Sequence, residues 1–410
     1  MSMSVWCNNR EVPATELLLQ VCMQTGQPII LWGPDGEAKS ELVEGYARSL
    51  KYGFYRFIGS TADPTDVGGV PVKVEDPDTG EPYVFRIPNK VFHAAMESGK
   101  KGIPFVIMFD EMNTCPPAVL AALLNVLTGF QAGDVFLPRD TTRFVAAANP
   151  PSIAVNPTDL GVPTSTRMTH VNHLLDPQTW VNGLLNGFQD PPATFLPKDW
   201  GGRIGEMYAL LAGFQQRTRF LYMREEAKPM HANLPRAVPR SWTNLCHVLA
   251  GLEGLDWDKT NKDGEPEDAG GLLIMQNLAA EGTIGSGCAT EFLEFLRMRD
   301  KVDIDKALAN PTSYELPGDE VPDLQYLFAN LLTAEMRARG QDLKSYKATW
   351  ELLERAKKGG WGDIAGPAAY SLASLLSGWG AAVKALKNDE MPGFAEYLPM
   401  VSAIATFDSE

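Results

Sequence analysis

Apolar positions follow two patterns along this chain. In the first part, short apolar runs are bounded by glycine, proline and polar residues; after Pro191-Pro192 and Pro197, helical spacing takes over. Residues 28–32 (Pro-Ile-Ile-Leu-Trp), 53–59 (Gly-Phe-Tyr-Arg-Phe-Ile-Gly), 105–109 (Phe-Val-Ile-Met-Phe), 142–148 (Thr-Arg-Phe-Val-Ala-Ala-Ala) and 168–171 read as strands. The unbroken run at 105–109 suits a strand buried on both faces of a parallel sheet, and 142–148 reads as another buried strand. Helical patterns stand between them at 16–24, 41–47, 90–98 and, started by Pro117, 118–127. Strands and helices in alternation predict an α/β fold. Residues 60–69 are turn-rich; 70–74 and 83–86 flank Asp76-Pro77-Asp78-Thr79-Gly80 as a hairpin, and 129–138 resembles a second one.

Beyond the proline-marked linker, residues 206–222 carry Met207, Leu210, Leu211, Phe214 and Leu221 at helical spacing. Residues 243–252 and 289–297 read as further helices, and the charged, glycine-containing stretch 256–268 as a loop. Pro311, Pro317 and Pro322 mark a boundary. Helices are then expected at 326–336, 346–356, 368–376 and 381–386, with no catalytic constellation among them. Such an appendix suits partner docking or stabilisation of an oligomer.

Chemistry concentrates where the first strand ends. Gly33-Pro34-Asp35-Gly36-Glu37-Ala38-Lys39-Ser40 lies between a strand and a helix. That is the setting in which backbone N–H groups and a helix N-terminus hold phosphates, a lysine reaches the β/γ oxygens and a hydroxyl binds Mg²⁺. Ala38 stands where the G-x-x-x-x-G-K-[ST] pattern has its last glycine. If residue 38 is helical, alanine is tolerated there; Asp35 and Glu37 add negative charge that weakens phosphate binding unless they point to solvent. An ordinary turn before a helix would look similar. Asp110-Glu111 close the run at 105–109, where ligands bind in open α/β sheets. There Asp110 can hold Mg²⁺ and Glu111 can orient or deprotonate water; the plain alternative is a surface turn. Asn149 ends the strand at 142–148, placed to touch a terminal phosphate or the attacking water, or simply to make a turn.

Composition narrows the partners. The 410 residues are 44% hydrophobic and 21% charged, with a formal net charge of −15. An acidic balance argues against broad contact with a nucleic-acid backbone, which needs a basic surface. Nothing approaches the ~18 uninterrupted apolar residues of a membrane helix. The start, Met1-Ser2-Met3-Ser4-Val5-Trp6-Cys7, lacks a secretory pattern, so a cytoplasmic protein is expected. Five scattered cysteines without C-x-x-C pairing read as buried thiols, Cys115 included. His170 and His173 lack a third nearby ligand for a metal. Trp180, Trp200, Trp242 and Trp257 are expected in core or interface, and Glu225-Glu226 on a solvated face.

Residues 33–40, 105–111 and 146–150 resemble the Walker A, Walker B and sensor 1 elements of an AAA+ ATPase. Within that class the chain is most similar to the MoxR and dynein-related group, through Asp-Glu-Met-Asn-Thr-Cys-Pro-Pro-Ala-Val-Leu-Ala-Ala-Leu-Leu (110–124), Ala-Ala-Ala-Asn-Pro-Pro (146–151) and Asp-Val-Gly-Gly-Val-Pro-Val (66–72). The similarity covers residues 10 to 300 or so. It implies an αβα parallel-sheet P-loop core at 1–185 with hairpin insertions near 70–86 and 129–138. An α-helical lid at 186–305 and an additional C-terminal helical region at 306–410 would follow. The family comparison makes Arg167 an arginine finger, with Met168 standing where relatives carry an aromatic residue. Arg240, at the start of a helix, corresponds to sensor 2 and would couple the lid to the phosphates. The bland alternative for either arginine is a surface ion pair.

The implied function is ATP and Mg²⁺ binding, with hydrolysis in a homo-hexameric ring that remodels a protein client. A partner carrying a von Willebrand factor A domain is expected from the same resemblance. Two alternatives stand beside it. One is a nucleotide-stabilised scaffold with slow or no turnover. The other, disfavoured by the acidic balance, is a nucleic-acid motor or GTP-dependent restriction-type subunit.

Overall fold

The computed structural model describes residues 3–154, 157–226, 233–257, 270–318, 320–340 and 342–375. Contacts divide the chain into two units, Met1–Trp200 with Glu225–Ala289, and Gly201–Arg224 with Thr290–Glu410.

The first unit opens with an antiparallel ribbon, β1 (Ser4–Cys7) and β2 (Arg10–Pro13), joined through Asn8 and Asn9. Both asparagines have positive φ, 50° and 59°. That is the conformation a two-residue hairpin turn needs and asparagine tolerates. Helix α1 (Ala14–Thr25) buries Leu17, Leu18, Leu19, Val21 and Cys22, and ends at left-handed Gly26.

The central sheet then builds up, with strand and helix alternating. It takes β3 (Ile29–Trp32), α2 (Lys39–Ser49), β4 (Gly53–Ile58), α3 (Pro64–Gly68), the hairpin β5 (Val70–Glu75) and β6 (Pro82–Ile87), and α4 (Lys90–Lys100). There follow β7 (Phe105–Asp110), α5 (Pro117–Gly129), the short hairpin β8 (Gln131–Ala132) and β9 (Val135–Phe136), β10 (Thr142–Ala148), α6 (Gly161–Ser165), β11 (Thr169–Asn172) and α7 (Pro177–Asn186). The sheet is five-stranded and all parallel, in the order β11-β3-β10-β7-β4. Strands β3 and β7 are buried throughout, as their unbroken apolar runs require, whereas edge strand β4 buries only Phe57.

Phe109 centres one core layer. Its ring meets Phe57 edge-on at 6.1 Å and stacks on Phe144 at 5.8 Å, beneath Val119, Leu123 and Val126 of α5. Burying one such side chain stabilises the fold by about 1.5–3 kcal/mol. This layer fixes the C-terminal end of β7, and therefore Asp110.

Several expectations shift. The turn-rich stretch at 60–69 contains a helix, α3, because Asp63 and Asp66 form a reciprocal cap and Pro64 starts the turn. Helix α7 leaves no side chain buried, and Trp180, expected in core or interface, is 48% exposed; Trp242 is buried. The chain returns to this unit as α9 (Pro239–Gly254) and α10 (Gly270–Ile284), the latter unforeseen behind its paired glycines. The expected loop at 256–268 lies outside the described residues from 258 onward.

Helix α8 (Ile204–Arg217) belongs to the second unit. The expected helix at 206–222 stops early because Arg219 and Phe220 take positive φ, which leaves Leu221 73% exposed. Helix α11 (Ser286–Arg297) crosses into this unit; α12 (Ile304–Ala309), α13 (Pro322–Arg339), α14 (Leu343–Lys358) and α15 (Gly362–Leu375) complete it. Phe214 packs on Phe292 at 5.3 Å and Phe295 at 5.8 Å, while Phe328, Tyr346, Trp350 and Trp361 anchor the rest of the core. The expected helix at 381–386 lies outside the described residues. Among the described residues no helix is long and apolar enough to cross a membrane.

Candidate functional site

Leaving β3, the chain turns through Gly33-Pro34-Asp35-Gly36-Glu37-Ala38 into α2. The Gly33 N–H donates to the Ala148 carbonyl at 3.1 Å, tying the loop to β10. A Cβ at Gly33 would lie 2.4 Å from the His173 carbonyl oxygen, so only glycine fits. Helix α2 has no side-chain N-cap, and its first-turn residues Lys39, Ser40 and Glu41 line a cavity of about 360 Å³. Asp35, Arg56, Asp110, Glu111 and Asn149 complete much of its wall.

Ala38 is left-handed, with φ 52° and ψ 30°, not helical as its tolerance required. The conformation costs an L-residue with a Cβ about 1–2 kcal/mol. Replacing Ala38 with glycine is expected to stabilise the folded protein by about 1 kcal/mol, less whatever chain entropy glycine adds to the unfolded state. Chemical denaturation reads this as a higher midpoint; a lower midpoint would contradict the backbone assignment.

Lys39 folds back over its own loop. Its Nζ donates to the carbonyls of Gly33 (2.6 Å) and Pro34 (2.7 Å) and to Asn149 Oδ1 (3.1 Å). Burial lowers its pKa, while Asp35, Asp110 and Glu37 oppose the shift. Ser40 Oγ donates to Asp110 Oδ2 at 2.6 Å. These two oxygens, one at a helix start and one at a strand end, are the hard donors that Mg²⁺ prefers. Their pairing inside one cavity fits a magnesium-bound polyphosphate.

Glu111 also takes left-handed backbone, φ 53° and ψ 41°, and its Oε2 accepts from Ser60 Oγ. Asn149 Nδ2 donates to Asp35 Oδ1 at 2.6 Å. Asn113 clamps the Asn149 main chain, accepting from its N–H at 3.2 Å and donating to its carbonyl at 2.7 Å. The extra loop carboxylates are both engaged. Asp35 holds Asn149, while Glu37, also on the cavity wall, accepts from the Leu175 N–H at 2.7 Å.

Sequence reasoning missed Arg56, Ser60 and Asn113. Two signals existed: a lone arginine inside the apolar run of β4, and an asparagine three positions after Asp110. His173 Nε2–H donates to the Glu37 carbonyl at 2.9 Å; that oxygen can only accept, so Nε2 carries the proton. Trp32 Nε1–H donates to His170 Nδ1 at 3.0 Å, so the His170 proton sits on Nε2, facing the Ser165 carbonyl at 3.0 Å. Burial pushes the His170 pKa down to about 4, which keeps it neutral. Cys115 is a buried thiol, pushed up to about 12 by burial and by Glu111.

The two singled-out arginines do not line this cavity. Arg167 Nε donates to Thr128 Oγ1 at 2.8 Å, and its Nη1 bonds the Pro163 carbonyl. Burial, and then the charge of Arg240, disfavour its cation. Asn244 of α9 donates to the Arg167 carbonyl at 3.4 Å. Arg240, exposed at the start of α9, is near enough for its charge to act on Arg167, and neither arginine lines the cavity.

No family model matches the chain, and no curated protein does. Among solved structures it is similar to that of a "putative ATPase" from Cytophaga hutchinsonii, at 18% identity and a TM-score of 0.38, covering 68% of this chain and 87% of that one. At that distance the likeness carries no residue roles, and the site stands on its own geometry.

Proposed function

We propose that this chain binds and hydrolyses ATP as a MoxR-type AAA+ protein. The observation that carries the reading is the convergence of Lys39, the Ser40–Asp110 pair, Glu111 and Asn149 on one cavity at the C-terminal ends of a parallel sheet.

In this reading the loop and α2 N–H groups hold the β- and γ-phosphates, and Lys39 exchanges its carbonyl partners for phosphate oxygens. Ser40 and Asp110 would hold Mg²⁺, which would supply neutralising charge on those oxygens. Glu111 leaves Ser60 and takes a proton from the attacking water, which Asn149 orients once Asp35 releases its amide. Arg167, with Arg240 beside it, serves the nucleotide of the neighbouring subunit in a ring, a hexamer by family resemblance.

The moving parts would be the two hairpins. Asp134 accepts from the Arg86 N–H at 2.7 Å through its carboxylate and donates to the Arg86 carbonyl at 3.2 Å. That joins the β8–β9 turn to strand β6. Val70, Val72, Tyr83, Val84, Ile87 and Phe136 are exposed on these hairpins and offer apolar surface to a client protein. A cytoplasmic setting and a von Willebrand factor A-domain partner belong to the same reading.

A second reading, a scaffold that binds nucleotide with slow turnover, draws on the left-handed Ala38 and on Asp35 engaging Asn149. Titration of a fluorescent ATP analogue with Mg²⁺ tests what both share. Saturable binding is expected, weakened in Lys39→Ala by about tenfold or more, since a hydrogen bond to a charged group contributes about 1.5–3 kcal/mol. Equal binding by wild type and Lys39→Ala would remove the loop from consideration.

A further inference from the structure

Arg56 is the cation at this site that no loop or strand-end motif accounts for. It lies on edge strand β4, in register with Met108 of β7, inside the run Phe54-Tyr55-Arg56-Phe57-Ile58. Its Nε and Nη2 both lie 2.5 Å from Asp110 Oδ2, and the same oxygen accepts from Ser40 Oγ at 2.6 Å. The two ends of this ion pair differ. The Asp110 side chain is 7% exposed, whereas that of Arg56 is 44% exposed and lines the cavity together with Lys39 and Asn149. One carboxylate oxygen thus carries three donors, which fill its lone-pair directions.

We infer that Arg56 is a displaceable counter-ion that reads the terminal phosphate of the bound nucleotide. The inference rests on the nucleotide-site reading above. Asp110 and Ser40 would hold a divalent cation through the oxygen that Arg56 occupies, so the guanidinium would give up that oxygen when the cation is bound. The released group stays tethered to β4 at the cavity wall, on the side of Asp110 and Glu111. There a planar fork of N–H donors matches phosphate oxygens two at a time. A triphosphate reaches that position and a diphosphate does not, so Arg56 favours ATP over ADP and couples that preference to Mg²⁺. Two carboxylates face it, Asp110, which it leaves, and Glu111, which Ser60 holds. The exchange therefore moves one positive charge from the metal ligand to the substrate and leaves the Ser60–Glu111 hydrogen bond untouched.

Equilibrium titrations of the full chain with fluorescent ATP and ADP analogues, at several Mg²⁺ concentrations, test this on wild type, Arg56→Ala and Arg56→Lys. Arg56→Ala is expected to lose ATP affinity by about tenfold or more at saturating Mg²⁺ while ADP affinity holds, as befits removal of a charge-assisted fork. The Mg²⁺ concentration giving half-maximal ATP binding should fall in the same variant, because the competitor for Asp110 is gone. Arg56→Lys, which keeps the charge without the fork, should lie between the two, and thermal melts establish that each variant is folded. If Arg56→Ala misfolds, Arg56→Lys alone decides the matter by the same ATP-to-ADP ratio. Equal weakening of ATP and ADP, or an unchanged Mg²⁺ midpoint, overturns the inference while the nucleotide reading stands. Wild type that binds neither nucleotide overturns both.

Discussion

Alanine at position 167 should lower ATP turnover by about 10³-fold or more, the range seen when an arginine finger is removed, with nucleotide binding by the same subunit preserved. The expectation follows from where the side chain stands. Arg167 is outside the cavity that holds Lys39 and Glu111, and its guanidinium is held by a hydroxyl and a carbonyl. Arg240 adds a second positive charge beside it, which already disfavours the Arg167 cation. Such a pair gains most from an anion between or in front of its members, and in the proposed ring the terminal phosphates of an adjoining subunit would supply one. If Arg167 acts across subunits as proposed, it and the loop that it serves belong to different chains, and mixing Arg167→Ala with Glu111→Gln subunits should restore part of the lost turnover. In one of the two orders of a mixed interface, the Arg167→Ala subunit presents an intact Glu111 to the intact Arg167 of a Glu111→Gln subunit; the other order carries both lesions. Failure to recover activity at every mixing ratio would exclude Arg167 as a residue acting across subunits.

Glutamine at position 111 is expected to reduce phosphate release by about 10²–10⁴-fold, the usual contribution of a positioned general base. The substitution is nearly isosteric, so the amide oxygen can still accept from Ser60, and Asp110, Ser40 and Lys39 keep their partners. Binding of ATP should therefore be unaffected. The left-handed backbone at Glu111 is a cost the fold bears at this position, and it aims the carboxylate into the cavity shared with Asp110 and Asn149. A variant that loses binding together with turnover would show Glu111 to be holding the site together.

Much of this architecture can be read from residue patterns, and the exceptions have physical causes. The runs at β3, β7 and β10 announce themselves because a strand buried on both faces has to be apolar at every position. Asp110, Glu111 and Asn149 stand out as polar groups ending such runs. Ala38 shows the limit of this reasoning. Its identity is visible in the chain, but its left-handed φ is set by the whole turn from Gly33 to α2. Arg56, Ser60 and Asn113 escape for another reason. Their partners lie 54, 51 and 36 positions away, and pairs that distant meet only through sheet order and strand register. Helix α10 is hidden because its apolar residues Leu272, Leu273, Ile274, Met275, Leu278 and Ile284 run around its circumference, so no stripe stands out. Helix α7 has no buried residue, and Trp180, expected in core or interface, stands 48% exposed on it. The proximity of Arg167 to Arg240 is likewise a product of α9 packing, 73 positions beyond the first arginine.

The most direct test is steady-state phosphate release from ATP and Mg²⁺ by the unmodified protein, with bound nucleotide quantified on the same sample and Glu111→Gln measured beside it. The expected result is sustained release by the wild type and release lower by about two orders of magnitude or more in the variant, at equal nucleotide occupancy. Nucleotide bound equally by both, with indistinguishable release, would contradict hydrolysis at this site and leave a nucleotide-binding scaffold.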